Sequence, residues 1–203
     1  TLDATMKSGG WKTTDFIDVP ELKGKNFGIV GYGHIGKASA RIARGFGMNL
    51  IAHDPHIRID EPDVKASSLD ELLKASDFIT LHVLLTPQTK GFIGKPQLDM
   101  MKKTAILVNA CRGPVVQEAA IIEALKARTI GGACLDVFEK EPLAKDSGLR
   151  KLDNVILTPH IAYCANEALA GRYQFFAENC QLIANGLVPK MAVNADKVPV
   201  GRR

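Results

Sequence analysis

The stretch Lys25-Asn26-Phe27-Gly28-Ile29-Val30-Gly31-Tyr32-Gly33-His34-Ile35-Gly36-Lys37 decides the fold. An apolar run of strand type leads into it, and Gly31, Gly33 and Gly36 then give the spacing G-x-G-x-x-G. Downstream, Ile35, Ala38, Ile42 and Phe46 recur at three- or four-residue steps, which predicts a helix over 34–46. Strand, glycine turn and helix in that order make the motif specific. Gly31 allows the tight turn, Gly33 lets backbone approach a pyrophosphate, and Gly36 lets helix and strand pack closely. The helix N-terminus then offers unpaired N–H groups and a positive dipole end to the phosphates. The next apolar run, 49–53, ends at Asp54, 23 residues after Gly31. A dinucleotide site wants an acid about 20 residues on, where it accepts from the ribose hydroxyls. That carboxylate would repel a 2′-phosphate, so the expected cofactor is NAD, with nearby Arg58 as the counter-argument.

Outward from this stretch, short apolar runs alternate with amphipathic segments. Strands are expected at 27–30, 49–53, 78–83, 105–109, 131–135 and 155–157, with a weaker one near 64–66. Helices are expected at 34–46, 69–75, 95–101, 117–127 and 166–185. Ser68-Leu69-Asp70-Glu71 fits a capping box. This alternation predicts an α/β fold, a doubly wound parallel sheet of Rossmann type. Runs such as Ala105-Ile106-Leu107-Val108 are apolar throughout, as strands buried on both faces are. Residues 2–7 look like the end of a helix closed by Ser8-Gly9-Gly10, with Trp11 in a polar linker. Residues 139–153 form a long polar loop, the kind that often carries function. The last helix carries Leu169, Tyr173, Phe176, Cys180 and Ile183 on one stripe, read as packing, and the tail to Arg203 reads as extended and then loose.

Composition narrows the function classes. The chain has 203 residues, is 46% hydrophobic and carries a net charge of +4 without a dense basic block, so nucleic acid is not the expected partner. No run of about 18 apolar residues predicts a membrane span. Cys111, Cys134, Cys164 and Cys180 lack metal or redox spacing, so reduced thiols in a cytoplasmic protein are expected, with no metal site.

In an open parallel sheet, ligands bind beyond the carboxyl ends of the strands. Cys111-Arg112-Gly113 follows 105–109, Asp136 and then Glu141 follow 131–135, and Thr158-Pro159-His160 follows 155–157. His160 can exchange a proton near neutral pH, which suits interconversion of a hydroxyl and a carbonyl. Glu141 could bond the far ring nitrogen and favour the imidazolium. Arg112 presents a planar fork suited to a substrate carboxylate. His82 reads as structural, and His53 and His56 as solvent-exposed.

These motifs resemble the D-isomer-specific 2-hydroxyacid dehydrogenases over about residues 8–195. The matching segments are 31–36, Phe46-Gly47-Met48, Leu81-His82-Val83, Asn109-Ala110-Cys111-Arg112-Gly113, 135–142 and Asn154-Val155-Ile156-Leu157-Thr158-Pro159-His160-Ile161. The resemblance implies an NAD-dependent oxidoreductase that interconverts a D-2-hydroxy acid and its 2-keto acid, with Arg112, Glu141 and His160 as the catalytic trio. It also implies cofactor contacts at His34 and Ile35 in the pyrophosphate turn, Asp54 at the ribose, and Val83, Leu84 and Thr89 along the adenosine half. Ala110, Cys111, Arg112 and Asp136 fall near the nicotinamide.

The chain departs from the family pattern at Leu84, where the family often has Pro, and at Ala162-Tyr163-Cys164, where it often has small residues. Tyr163 is expected to tune the substrate. Glu141 argues against the formate dehydrogenase branch, which pairs its His with Gln. Most of the family's substrate domain has no counterpart here. The expected organisation is therefore a dinucleotide-binding domain over 1–163, then a C-terminal helix and tail over 164–203 that in relatives return to the substrate domain. Such a chain is expected to bind NAD and turn over poorly. A homodimer is expected through helix 34–46 and the Trp11 region, as relatives commonly pair. The alternative is an NAD(H)-sensing interaction protein like the C-terminal-binding-protein corepressors.

Overall fold

The computed structural model describes residues 2–11 and 21–192. The polar linker expected after Trp11 and most of the C-terminal tail lie outside the described residues. The chain divides into two compact units, Thr1–Leu157 and Thr158–Arg203.

In the first unit seven parallel strands form one sheet: β1 (Asn26–Val30), β2 (Asn49–His53), β3 (Val64–Ala66), β4 (Phe78–Leu81), β5 (Ile106–Asn109), β6 (Gly132–Leu135) and β7 (Val155–Leu157). Their order is β3-β2-β1-β4-β5-β6-β7, so the chain winds outward from β1 and then restarts on its other side at β4. The helices are α1 (Leu2–Lys7), α2 (His34–Gly45), α3 (Leu69–Ala75), α4 (Lys95–Met100) and α5 (Glu118–Lys126). Ser68 caps α3 in a reciprocal capping box with Glu71. Helix α1 ends as its glycines predict: Gly9 has φ 82°, and the N–H groups of Gly9 and Gly10 donate to Met6 and Thr5 carbonyls at 3.0 and 2.9 Å.

Strand side chains alternate between faces, and the two faces build separate cores. Val30, Ile51, Ile79, Leu81, Leu107 and Leu135 join Leu72, Leu73, Leu98, Ile121 and Leu125 of α3, α4 and α5. On the other face Ile29, Leu50, Ala52 and Val64 meet Tyr32 and the small residues Ala40 and Ala43 of α2.

The structure shows which side two of the helices bury, and for the last helix it corrects the sequence reading. Within α2 the buried residues are Gly36, Ala40 and Ala43. The apolar stripe points outward, with Ile35 68%, Ile42 64% and Phe46 58% exposed. Close helix–sheet contact selects the small residues, and the large ones are left outside. In the second unit α6 (Asn166–Ala184) has no buried residue, so its stripe does not pack as expected. That helix ends at Asn185 and Gly186, the latter at φ 73°. Lys190 then donates its N–H to Asn179 Oδ1 at 2.6 Å and pairs with Glu178 at 2.9 Å, folding the following segment back along the helix. The loop over 139–153 holds a short 3₁₀ helix, Gly148–Lys151, pinned by buried Leu149.

Candidate cofactor and active site

Gly31, at the end of β1, has φ 92°, and a Cβ there would lie 2.6 Å from the His82 carbonyl oxygen. At Gly36 a Cβ would lie 2.2 Å from the Gly31 oxygen, so the helix could not close on the turn. Gly33 is different. Nothing in the protein lies within 4 Å of where its Cβ would be, so the fold leaves open the space that a pyrophosphate needs. Gly33 is also the N-cap of α2 and has no side chain to cap the N–H groups of the first turn. His34 and Ile35, both exposed, begin the helix there.

Asp54 stands one residue beyond β2, and its carboxylate is fixed by the backbone. Oδ2 accepts from the Tyr32 N–H at 2.8 Å, and Oδ1 from the His56 and Ile57 N–H groups at 2.8 and 3.0 Å. Burial works to raise its pKa, but these three donors outweigh burial and hold the carboxyl below its ordinary value. An ionised acid thus sits beside the glycine turn. Arg58 is turned to Asp60 at 2.7 Å, with 90% of its side chain exposed. The loop beyond Asp54 is tied to α2 by Arg44, which pairs with Asp63 and with Glu61, the latter at 3.0 Å. Burial, then the Glu61 carboxylate, pushes the Tyr32 phenol up to about 12. Of the two histidines read as exposed, His56 is exposed. His53 is half-buried, its Nδ1 3.0 Å from the Ser67 carbonyl oxygen, because it closes β2 against the chain that follows β3.

After β4, Val83 is half-buried and Leu84 is exposed. Thr89 Oγ1 donates to the Leu84 carbonyl at 2.5 Å and accepts from the Thr86 N–H at 2.8 Å, so its hydroxyl closes this loop on itself.

Beyond β5, the organiser is Asn109, a buried amide that sequence reading passed over as part of a strand. Its Oδ1 accepts from the Cys111 N–H and thiol, each at 3.1 Å, and its Nδ2 donates to the Arg112 carbonyl at 3.1 Å. One polar residue closing an apolar strand was the available signal. Ala110 and Arg112 are exposed on the resulting turn, and Arg112 Nη1 donates to the Cys111 carbonyl at 2.6 Å. Burial, ahead of the neighbouring N–H donors that oppose it, raises the Cys111 thiol above its ordinary pKa, so it is not an activated nucleophile. A Cβ on Gly113 would fall 1.8 Å from the Phe138 oxygen, so the turns after β5 and β6 touch.

After β6, Asp136 is buried, and its N–H donates to the Asn109 carbonyl at 2.9 Å. Glu141, exposed, accepts from the Phe138 N–H at 3.0 Å through Oε1, which folds 138–141 into a tight loop. The glycine turn, Asp54, Arg112 and Glu141 all follow strands of one parallel sheet and so share its carboxyl edge.

His160 belongs to the second unit, three residues after the last residue of β7. Its φ is 54°, a left-handed conformation that costs a non-glycine residue free energy and tends to be kept where function needs it. Its ring lies edge-on to Tyr163 at 6.3 Å between centroids, and Arg172 lies over the Tyr163 ring at 5.9 Å. Among the described residues no His/Cys/Asp/Glu group is arranged to hold a metal, and no helix is long and apolar enough to cross a membrane.

Residues 1–162 match the D-isomer specific 2-hydroxyacid dehydrogenase, NAD binding domain family. The chain is 45% identical to glyoxylate reductase of Korarchaeum cryptofilum, over 98% of this chain and 61% of that protein. It is 42% identical to D-3-phosphoglycerate dehydrogenase of Archaeoglobus fulgidus, over 97% of this chain and 38% of that protein. It superposes on D-lactate dehydrogenase with NAD+ from Lactobacillus jensenii with a TM-score of 0.84 and 32% identity, over 95% of this chain and 62% of that one. The chain thus spans between about a third and two thirds of the length of these relatives. Taken with the glycine turn and the carboxylate fixed beside it, the match over four fifths of the chain shows that it belongs to the D-isomer-specific 2-hydroxyacid dehydrogenases and is their NAD-binding domain.

Proposed function

We propose that this chain is the cofactor-binding portion of an NAD-dependent oxidoreductase that interconverts a D-2-hydroxy acid and its 2-keto acid. The observation that carries the reading is the shared edge: the open glycine turn, the ionised Asp54 and the exposed Arg112 all follow strands of the same sheet. Bound NAD supplies the hydride acceptor, or NADH the donor. Arg112 pairs its guanidinium with the substrate carboxylate and polarises the adjacent carbonyl. His160 exchanges the hydroxyl proton, and Glu141 is the carboxylate that favours its protonated ring. The turn set by Asn109 presents Arg112, and the α2 N-terminus holds the pyrophosphate. Residues 164–203 belong functionally with the substrate domain. The relatives named above are reductases and dehydrogenases, and none favours the corepressor alternative.

The outer surface supports a finer reading of the partners. The protein pairs as a homodimer through the outward stripe of α2, where Phe27, Ile42, Phe46, Met48 and Phe78 line an open apolar groove of about 320 Å³. Sedimentation of wild type and Phe46→Ser checks this, and a monomeric wild type rejects it. The four described cysteines are free thiols, which suits a cytoplasmic protein.

The functional test is NADH oxidation by the full-length protein with a panel of 2-keto acids. His160→Ala is expected to lower kcat by about 10²–10⁴ while NADH binding persists. Undiminished turnover in that variant rejects the mechanism.

A further inference from the structure

The crevice of a doubly wound sheet opens where the winding reverses. Here that point lies between β1 and β4, which are neighbours in the sheet while their following helices leave in opposite directions along the strand order. Gly31 follows one strand and His82 the other. Their backbones are in tight contact: the His82 N–H donates to the Val30 carbonyl at 2.7 Å, and the His82 oxygen occupies the space a Gly31 side chain would need.

The His82 side chain makes a second connection. Its Nε2 lies 3.0 Å from Ser39 Oγ on α2 and 3.1 Å from Thr80 Oγ1 on β4. Burial alone drives its pKa below the ordinary histidine value, so the ring is neutral at pH 7. A neutral Nε2 either accepts from the hydroxyls or donates to one of them. In both forms a single nitrogen bridges helix and strand. The bridge matters because, apart from the Arg44 pairs at its C-terminal end, α2 is lightly gripped. Its buried contacts are Gly36, Ala40 and Ala43, and its large apolar side chains face outward. A helix seated on such residues lacks interlocking side chains, yet the N–H groups of its first turn must stay within about 0.5 Å of a productive position.

We propose that His82 is a positioning residue for NAD: its imidazole ties α2 to β4 through Ser39 and Thr80 and so fixes the pyrophosphate-binding end of the helix against the crevice. This role rests on NAD binding by the glycine turn and not on which substrate is reduced.

The test is titration of NADH into this chain, followed by cofactor fluorescence, beside thermal unfolding of the free chain. His82→Leu is expected to raise Kd about five- to tenfold, the loss of a half-buried hydrogen-bonded bridge. His82→Gln, whose amide can reach both hydroxyls, is expected to recover most of that affinity. Ser39→Ala is expected to weaken binding in the wild type and to add little in the His82→Leu background. A His82→Leu chain with wild-type Kd overturns the proposal whatever its melting temperature, because a purely structural histidine would lower Tm alone. Failure of Gln to rescue, or full additivity with Ser39→Ala, overturns it as well. If His82→Leu does not fold, Ser39→Ala alone decides: an unchanged Kd removes the bridge from cofactor binding.

Discussion

The two faces of the sheet are built differently. One is sealed: α3, α4 and α5 press leucines and isoleucines onto it, and Leu72, Leu98, Leu107 and Leu125 have no exposed surface. The other face carries α2 on small residues over β1 and β2. Further along it, on the parity of Phe78, Ile106 and Val108, Ile156 stands 64% exposed. Stability is concentrated on the sealed face. The lightly packed face holds the cofactor helix and an open apolar groove, so cofactor binding falls where tertiary packing constrains the chain least.

Mutations on each side sharpen or break this contrast. Leu107→Ala, on the sealed face, is expected to cost about 2–5 kcal/mol in chemical unfolding, the range for a fully buried leucine. Gly36→Ala is expected to cost about 1–3 kcal/mol by overpacking. Because it pushes α2 off the turn, it should also weaken NADH binding, which Leu107→Ala should not if the chain stays folded. Calorimetric titration of both separates the two effects.

The pH dependence should also divide. His82 has its pKa lowered in the folded state, so the unfolded chain binds its proton more readily. Its contribution is intact above the unfolded value of about 6.5 and is lost as pH falls below that value toward the folded one. The slope is at most about 1.4 kcal/mol per pH unit. His82→Gln should flatten the stability profile just below pH 6.5. Asp54 and Asp77, whose folded pKa values are depressed, act only in more acidic solution, where their contribution is lost as they protonate. The smallest effect is expected from Ile156→Ala, within about 0.5 kcal/mol of wild type, because that side chain is already largely in water. A cost like that of Leu107→Ala would mean the second face is covered and would break the comparison.

Most of this fold was legible in the sequence because buried parallel strands write themselves as unbroken apolar runs. The glycine turn, the weak strand at 64–66 and the Ser68 capping box all stand where expected. The buried side of a helix was only partly legible. The period of Ile35, Ile42 and Phe46 identifies a helix, but the residues that seat it are the small Gly36, Ala40 and Ala43, which an apolar period does not mark. On α6 the packing read from its stripe fails, since Tyr173, Phe176 and Ile183 are exposed. Arg112 could be located from the strand it follows. Asn109 is marked in the sequence only as the polar residue closing an apolar strand; the set of hydrogen bonds it makes to backbone and thiol is something no residue spacing reveals.

The Asn109 amide also limits how this protein can diversify. With three partners between residues 111 and 112 satisfied by one side chain, the segment cannot gain or lose a residue without stranding buried polar atoms. The 139–153 segment is held differently, by buried Leu149 and half-buried Leu143 and Leu152 on the core and by Arg150 bonded to the Leu143 and Ala144 carbonyls, so its anchors are spread along its length.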